Sequence, residues 1–342
     1  MNALAVVSLI VVILSNSVRQ SIPLLFGSTG EIITEKSGNL NLGIPGIMYM
    51  GGISGIIGSY IYEKYAAVPN AFLGIVIALL SALIGSGLLA LIYSFLTVTL
   101  KANQNVTGLA ITTFGTGFGD FFGGSLTTIM GDGGNLQLQY VPGYFKATLP
   151  FASKLGDVGT LLFSYGFMTY VAIIVAILAS YFLNKTRTGL HLRAVGENPA
   201  TADAAGISVS RYKYLATTIG GMIAGLGGFY FIMDYTGGSW TNGGMGDRGW
   251  LAIALVIFAT WKPNFAILGS IVFGGLYIAY NYVSGVFSML PNADRIRPVV
   301  QECFNSLPYL VTIVVLIITS MRNKKENQPP QSLGLAYFRE ER

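Results

Sequence analysis

The chain has 342 residues, of which 52% are hydrophobic and 10% are charged, and its formal net charge is +5 at pH 7. Soluble globular proteins carry about 25% charged residues, so this composition excludes an ordinary soluble domain and indicates an integral membrane protein. The single cysteine, Cys303, excludes an internal disulfide. Membrane topology explains the basic excess better than nucleic-acid binding does, because Lys and Arg mark the cytoplasmic side.

Uncharged stretches follow one another along the chain, and about 20 apolar residues are enough to span a bilayer. They predict an all-α integral membrane protein of about ten transmembrane helices, some interrupted, in a domain over 1–321 that is followed by a tail over 322–342. The predicted segments are approximately 2–15, 18–35, 40–62, 72–100, 106–122, 158–183, 214–235, 249–261, 265–287 and 306–321. The first is expected to be a retained helix rather than a cleaved signal peptide, because no basic residue precedes it.

Two basic regions orient these segments. Lys and Arg cluster in the loop 184–213 and recur in the tail after the last apolar segment, so both regions are expected in the cytoplasm. An even number of crossings then puts both termini on the cytoplasmic side, and it puts the sparsely charged loop 123–157 outside. His191 lies in the basic loop and is interpreted as a solvated residue rather than a metal ligand.

Glycine and proline interrupt several segments. The stretch Ser37–Gly46 combines Asn39 and Asn41 with three glycines and a proline between two apolar runs. Non-helical backbone at membrane depth is tolerated where protein shields it or a water-filled cavity wets it, so this stretch is a candidate for lining a path. The alternative is tight helix packing, to which the pairs Gly51–Gly55 and Gly221–Gly225 are also suited.

The loop 184–213 contains the signals of a short helix. Asn198 suits an N-cap, Pro199 the first helical position and Gly206 the C-terminal stop. The helix is Ala-rich, about two turns long, and expected to have little apolar surface to bury within the chain; such a helix is marginal alone in water. We therefore expect it to dock into a soluble partner and to carry force across the membrane boundary.

The charged residues around this helix have two interpretations. Glu197 and Asp203 can pair with basic residues of the partner, while Arg193 and Arg211 flank the contact. Alternatively, these charges form only a solvated face.

Several stretches, in the same order over nearly the whole chain, resemble the motifs of ABC-transporter permeases for nucleosides and simple sugars. They are Glu35–Gly51, Thr186–Pro199 with Ala205–Ile207, Arg248–Phe258 with Trp261–Pro263, and the ending Ser332–Arg339. The chain is more distantly similar to ribose and branched-chain amino acid permeases. Two departures bear on substrate preference: Pro45 stands where the nucleoside branch usually has an acidic residue, and Ala259–Trp261 replaces its usual Gly-Arg-Trp.

The resemblance implies a permease subunit of an ATP-driven importer in the bacterial plasma membrane, not an enzyme. A second permease chain, related but different, would complete a path that works by alternating access, and an extracytoplasmic lipoprotein would deliver a nucleoside. The chain has no Gly-x-x-x-x-Gly-Lys-Ser/Thr motif, so no cofactor is expected on it, and ATP and Mg²⁺ would lie on the partner ATPase. That ATPase would contact the loop 184–213, through Arg193, Glu197, Asn198, Pro199, Asp203, Gly206 and Arg211.

A nucleoside would be guided by ring stacking and by amide or hydroxyl hydrogen bonds. The candidate path residues are Asn39, Asn41, Phe114, Phe118, Trp240 and Trp250. The alternative for the aromatic residues is the interfacial belt that Trp and Tyr form at membrane surfaces.

Two other classes of function stay open, as do other cargoes. An ion-coupled secondary transporter would use carboxylates near membrane depth; the candidates are Glu31, Glu35, Asp120 and Asp234, which lie near segment ends where they are expected to reach interfacial water. A non-transporting scaffold would need no interrupted helices. A sugar, a riboflavin-like vitamin or a branched-chain amino acid is an alternative cargo for an ABC permease.

Overall fold

The computed structural model describes residues 3–150, 152–287, 293–322 and 327–338, and within these residues it is helical, with one isolated β-bridge between Gln137 and Ser239. The helices are α1 Ala3–Glu35, α2 Ile44–Tyr65, α3 Ala71–Ser94, α4 Gln104–Ile129, α5 Val141–Phe145, α6 Gly156–Phe163, α7 Phe167–Lys185, α8 Arg187–Glu197, α9 Pro199–Ala204, α10 Val209–Tyr230, α11 Arg248–Phe258, α12 Pro263–Phe287 and α13 Ala293–Arg322. One wider turn, with π-helical hydrogen bonds, prolongs α3 to Thr99 and another prolongs α10 to Tyr235.

Seven helices of the described chain are long and apolar enough to cross a membrane. These spans are Ile10–Glu35, Ile44–Tyr65, Ala71–Thr99, Phe167–Lys185, Val209–Tyr235, Pro263–Val283 and Arg297–Ile318. The helix α11 is apolar but has only 11 residues. The helix α4 has 26 residues, about 39 Å, and it packs along α2 although it is not among the seven spans. An all-helical membrane protein is confirmed, whereas the count of about ten crossings is not.

The difference in count begins at the N-terminal segments, because 2–15 and 18–35 lie in one helix, α1. The polar residues between them do not end the helix. The hydroxyls of Ser17 and Ser21 donate to backbone carbonyl oxygens of the preceding turn, at 2.8 and 2.7 Å. Arg19 donates to the carbonyl oxygen of Ser164 at 3.3 Å. Polar groups satisfied in this way remain compatible with a continuous helix.

One continuous α1 also changes the expected placement of the termini. Arg19, in the first half of α1, contacts Ser164 at one end of the bundle, which we call the outer end. Glu35 closes α1 at the opposite, inner end, where the tail residue Ser332 bonds to Gly196 at the end of α8. The helix α1 therefore starts at the end remote from the tail, and the expectation that both termini lie on one side is not confirmed.

The helices α1, α2 and α10 form the centre of the bundle, and glycine permits their close approach. A Cβ atom at Gly51 would lie 2.2 Å from the carbonyl oxygen of Gly225, and one at Gly30 would lie 2.1 Å from that of Gly220. Small residues at such crossings let two backbones pack directly in a membrane. The interpretation that the pairs Gly51–Gly55 and Gly221–Gly225 serve tight helix packing is thereby confirmed.

The short helix α11 is attached to α1 at its beginning. The buried guanidinium of Arg248 forms no ion pair within the described residues but donates to Oε1 of Gln20 at 3.2 Å. It also lies 4.4 Å from the ring centroid of Phe231 and 4.8 Å from that of Tyr277, a cation–π arrangement that compensates part of its desolvation. The predicted segment 249–261 is thus a half-length helix that ends in a tight turn, where Thr260 and Trp261 have positive φ angles.

Candidate functional site

The predicted helix of the basic loop is present as α9, and its caps are those expected. Oδ1 of Asn198 accepts the backbone N–H of Thr201 at 2.9 Å, and Pro199 occupies the first helical position. After the helix the chain turns at Gly206, whose φ is +80°, a conformation that costs little only for glycine. Local chemistry alone therefore delimits this element.

The expectation that α9 has little apolar surface to bury within the chain is wrong. Ala202 is 3% exposed and packs with Val195 of α8 and Val209 of α10. The ring of Tyr337, from the tail, packs against the same cluster. The helix is held by its own chain, and its other surface is exposed.

The candidate coupling residues divide into exposed and partly buried groups. Glu197, Asn198, Gly206 and Arg211 are exposed, whereas Pro199 and Asp203 are partly buried. The half-buried Arg193 and the exposed Glu197 line a cavity of about 560 Å³ at the inner end.

The same cavity contains a lysine whose environment is unusual. Burial lowers the pKa of Lys36, the positive charges of Arg193 and Lys262 lower it further, and the carboxylates of Glu197 and Glu35 act in the opposite direction. The inner end of the bundle therefore carries closely spaced charges of both signs beside α8.

The interrupted stretch between α1 and α2 is held by buried polar side chains. Asn39 donates its amide to Oγ1 of Thr217 at 3.0 Å, and the backbone N–H of Asn41 donates to Oε1 of Glu31 at 3.0 Å. Oε1 of Gln104 accepts the backbone N–H of Leu40 at 2.7 Å. Backbone groups without helical partners at membrane depth need such substitutes. In this conformation Asn39 and Asn41 are 1% and 0% exposed, so they hold the segment rather than line an open path.

The two carboxylates at the end of α1 are enclosed as well. Glu31 and Glu35 are 0% and 3% exposed, so the expectation that they reach interfacial water is wrong. Glu35 accepts the indole N–H of Trp261, and Glu31 supports the backbone of Asn41. Among the described residues, no group of three or more His, Cys, Asp or Glu side chains is placed to hold a metal ion.

A second polar cluster surrounds Asp120, a residue in the middle part of α4. The hydroxyl of Tyr49 donates to Oδ1 of Asp120 at 3.0 Å and accepts the backbone N–H of Gly243 at 2.7 Å. Trp240 meets the ring of Tyr49 edge to face at 5.3 Å, and it donates its indole N–H to Oδ1 of Asn242 at 2.9 Å. A partly exposed carboxylate is thus fixed beside aromatic rings.

The helix α4 has one packed face and one uncovered face. A Cβ atom would clash at four glycines of α4: at Gly108 with the interrupted segment at Leu42, and at Gly115, Gly119 and Gly123 with α2 or Trp240. The uncovered face carries Val106, Leu109, Thr113, Phe114, Gly117, Phe121, Gly124 and Thr128. Phe114 is 54% exposed, and Phe118 lies between it and Phe122, with ring centroids 6.0 and 4.6 Å away. This surface mixes Thr and Gly with Phe, Val and Leu side chains.

The structure therefore gathers only part of the predicted path. Phe114 and Phe118 share the uncovered side of α4, and the buried Trp240 supports the same helix from within. Asn39 and Asn41 lie deeper at the inner end, in the segment that Gln104 and Thr112 of α4 bond at Leu40 and Leu42. Trp250 is half-buried on a different helix, α11.

Three residues of these clusters were not singled out from the sequence. Tyr49 lies in the motif Glu35–Gly51 and Tyr337 in the tail motif, but no local pattern shows that one reaches Asp120 and the other Asp203. Asn242 lies two residues after a predicted path residue, Trp240, and this proximity was the available signal.

Comparison with known proteins is consistent along the whole chain. The family model described as "Branched-chain amino acid transport system / permease component" matches residues 13–320. The putative glucose ABC transporter permease protein TsgC13 of Haloferax volcanii is 32% identical over 96% of this chain and 98% of its own length. No solved structure matches the chain.

Two relatives come from one organism, Lactococcus lactis. Its nucleoside ABC transporter permease protein NupC is 31% identical over 92% of this chain and 93% of its own length. Its nucleoside ABC transporter permease protein NupB is 23% identical over 74% of this chain and 68% of its own length.

Proposed function

The chain belongs to the family of permease components of branched-chain amino acid transport systems, and from this premise we propose that it conducts nucleosides through an ATP-driven importer. It is a multi-pass plasma-membrane protein and an ABC transporter permease, a subunit that conducts a solute rather than catalysing a reaction. Nucleoside is the proposed cargo because NupC and NupB carry that description.

The uncovered face of α4 supports a path at the border with a second permease. The partly exposed carboxylate of Asp120, beside this face, would be costly against lipid tails, where a charged group lacks water. A second chain would cover the face and leave a polar, aromatic-lined path between the two subunits. Two different nucleoside permeases of one organism resemble this chain, so we propose a related but different chain as the partner.

The chemistry of this face suits a nucleoside. Phe114 and Phe118 offer rings for a base, for which stacking is worth about 1–3 kcal/mol. The carboxylate of Asp120, oriented by Tyr49, is an acceptor for the two hydroxyls of a ribose. Weak binding of this kind suits a path that must release its cargo.

For coupling, we propose that a cytoplasmic ATPase, which holds ATP and Mg²⁺, docks on the exposed side of α9. Glu197, Asn198, Gly206 and Arg211 are exposed there. The half-buried Arg193 flanks the contact, and Asp203 faces the tail. An extracytoplasmic lipoprotein would deliver the substrate at the outer end.

Reconstitution of the chain with its ATPase, its second permease and its binding lipoprotein tests this function. ATP-dependent uptake of nucleosides, in preference to glucose, ribose and branched-chain amino acids, is the expected result. Preferred uptake of glucose would favour the activity named for TsgC13. Uptake that needs no ATPase and collapses with an ionophore would instead assign the chain to secondary transporters.

A further inference from the structure

The described part of the tail, residues 327–338, lies along the inner end of the bundle, where Asn327 accepts from Lys262 and the stretch 332–338 bonds to two further elements. One is the pair α8 and α9, which we call the coupling element. The other is the interrupted segment 36–43 with the start of α4. No secondary structure fixes this part of the tail beyond short turns, so its position depends on these contacts.

The first set of contacts holds both helices of the coupling element. Ser332 donates its backbone N–H and its hydroxyl to the carbonyl oxygen of Gly196, at 3.0 and 2.6 Å. Tyr337 donates its hydroxyl to Oδ2 of Asp203 at 2.9 Å, and its ring packs against the cluster around Ala202. The tail is thus tied to the last turn of α8 and to α9.

The second set joins the same stretch of tail to the membrane domain. The backbone N–H of Gly334 donates to the carbonyl oxygen of Gly38 at 3.2 Å. The side-chain amide of Gln104 donates to the carbonyl oxygen of Leu335 at 3.4 Å, and the ammonium of Lys101 lies 4.1 Å from the ring centroid of Phe338. Gln104 also accepts from Leu40, so it connects the tail, α4 and the interrupted segment.

Between these two sets the coupling element touches the interrupted segment directly. A Cβ atom at Gly196 would lie 2.3 Å from the carbonyl oxygen of Lys36 and 3.1 Å from the backbone nitrogen of Gly38. This contact is made by the backbone of Gly196 against the backbone of Lys36 and Gly38, so neither glycine contributes a side chain that could interlock. Resistance to sliding or opening at this joint must come from groups that bridge it.

We propose that Ser332 and Tyr337 are positioning residues that clamp the coupling element onto the interrupted segment. Movement of α9 by the ATPase then passes through the joint at Gly196 to α2 and α4, instead of being lost as bending at that joint. This inference rests on the proposed coupling role of α9, and it assigns the tail a part in transport without direct contact with substrate or ATPase.

Substitution of the two bridging side chains tests the clamp in the reconstituted complex. Tyr337→Phe removes one hydrogen bond and keeps the ring, while Ser332→Ala removes the hydroxyl bond and keeps the backbone bond. We expect each to lower the substrate imported per ATP hydrolysed by about five-fold, the change that corresponds to one net hydrogen bond of roughly 1 kcal/mol, and the double variant to lower it further. ATP hydrolysis and co-purification of the subunits should stay unchanged. Tyr181→Phe, at a side chain of α7 that is 61% exposed, is the matched control.

A double-mutant cycle tests the specific bond. If the Tyr337 hydroxyl acts through Asp203, then Asp203→Ala and the double variant Asp203→Ala with Tyr337→Phe should have the same ratio of import to hydrolysis, because neighbouring changes that break one bond are not additive. Additive losses would contradict an action through this bond.

The remaining outcomes separate the clamp from the coupling proposal. An unchanged import ratio in the double variant Ser332→Ala with Tyr337→Phe overturns the clamp, as does a loss of import and hydrolysis in equal proportion, which is what a purely structural role predicts. Deletion of residues 199–205 should abolish ATP-driven import. Normal import by that deletion variant would overturn the coupling role itself. If the deletion variant imports nothing while the tail variants import normally, only the clamp is rejected.

Discussion

The carboxylate of Glu35, at the last residue of α1, accepts the indole N–H of Trp261, which lies in the turn between α11 and α12. The two residues are 226 positions apart in the sequence. Both side chains are buried, with 3% of Glu35 and 8% of Trp261 exposed. The bond fixes the inner end of α1 to a turn whose backbone has positive φ at Thr260 and Trp261. It is a polar link between the N-terminal helix and the C-terminal helices at this end.

Trp261→Phe is expected to destabilise the protein by roughly 1–3 kcal/mol, because it leaves a buried carboxylate without its donor. Thermal unfolding of the purified chain in detergent measures the effect. Trp250→Phe is the control, since Trp250 is only half-buried. Equal stability of the two variants would show that the Glu35 bond contributes nothing.

Gly51→Ala is expected to destabilise the bundle by roughly 1–3 kcal/mol, because the new methyl group would lie 2.2 Å from the carbonyl oxygen of Gly225. Gly117→Ala on α4 is the control. A Cβ atom there meets nothing within 4 Å, so this variant should gain about 0.5–1 kcal/mol of helix stability. The same thermal measurement checks both, and a neutral Gly51→Ala would refute the close α2–α10 crossing.

Asn198→Ala is expected to remove about 1 kcal/mol of α9 stability, since the cap to the N–H of Thr201 is lost. ATP-driven uptake by the reconstituted complex should fall while insertion into the membrane stays normal. Asn198→Asp keeps an acceptor at the same position and should retain uptake. If Asn198→Ala transports as well as the parent protein, an ordered α9 is not needed for coupling.

Phe114→Leu is expected to raise the KM for nucleoside uptake by at least about five-fold, because the lost ring no longer stacks with a base. Maximal uptake and complex assembly should change little. Phe265→Leu is the control, at a residue of α12 that is 55% exposed and lies on a different helix. A KM equal to that of the control would remove Phe114 from the path.

Asp120→Asn is expected to weaken uptake of ribonucleosides more than that of 2′-deoxyribonucleosides, because an amide oxygen is a poorer acceptor than a carboxylate for a ribose diol. Competition assays with matched pairs of nucleosides measure this difference. Uptake of both kinds reduced by the same factor would indicate that Asp120 orients Tyr49 and does not contact the sugar.

The parts of the site that follow from near neighbours were predictable. Asn198 caps an amide three residues away, and Gly206 supplies a positive φ at the end of the same helix, so both features are encoded within one short stretch. The small-residue pairs around Gly51 and Gly225 indicated close packing, because few other roles in lipid need two glycines one turn apart.

Other features were mispredicted for physical reasons that can be named. The segments 2–15 and 18–35 were predicted as two crossings, but the hydroxyl of Ser17 between them bonds within the helix and α1 continues. Glu31 and Glu35 read as residues near water, but the interrupted segment and Trp261 fold over them.

Sequence patterns were enough to predict a helical membrane protein, the bounds of α9 and the interruption between α1 and α2. Hydrophobic burial and local hydrogen bonding depend on residue type and short spacing, so they can be read along the chain. The tertiary structure alone decided that Tyr337 meets Asp203 across 134 positions and that α4 keeps one face uncovered. Such pairings depend on how whole helices pack, and no local pattern specifies which distant residue completes a buried polar group.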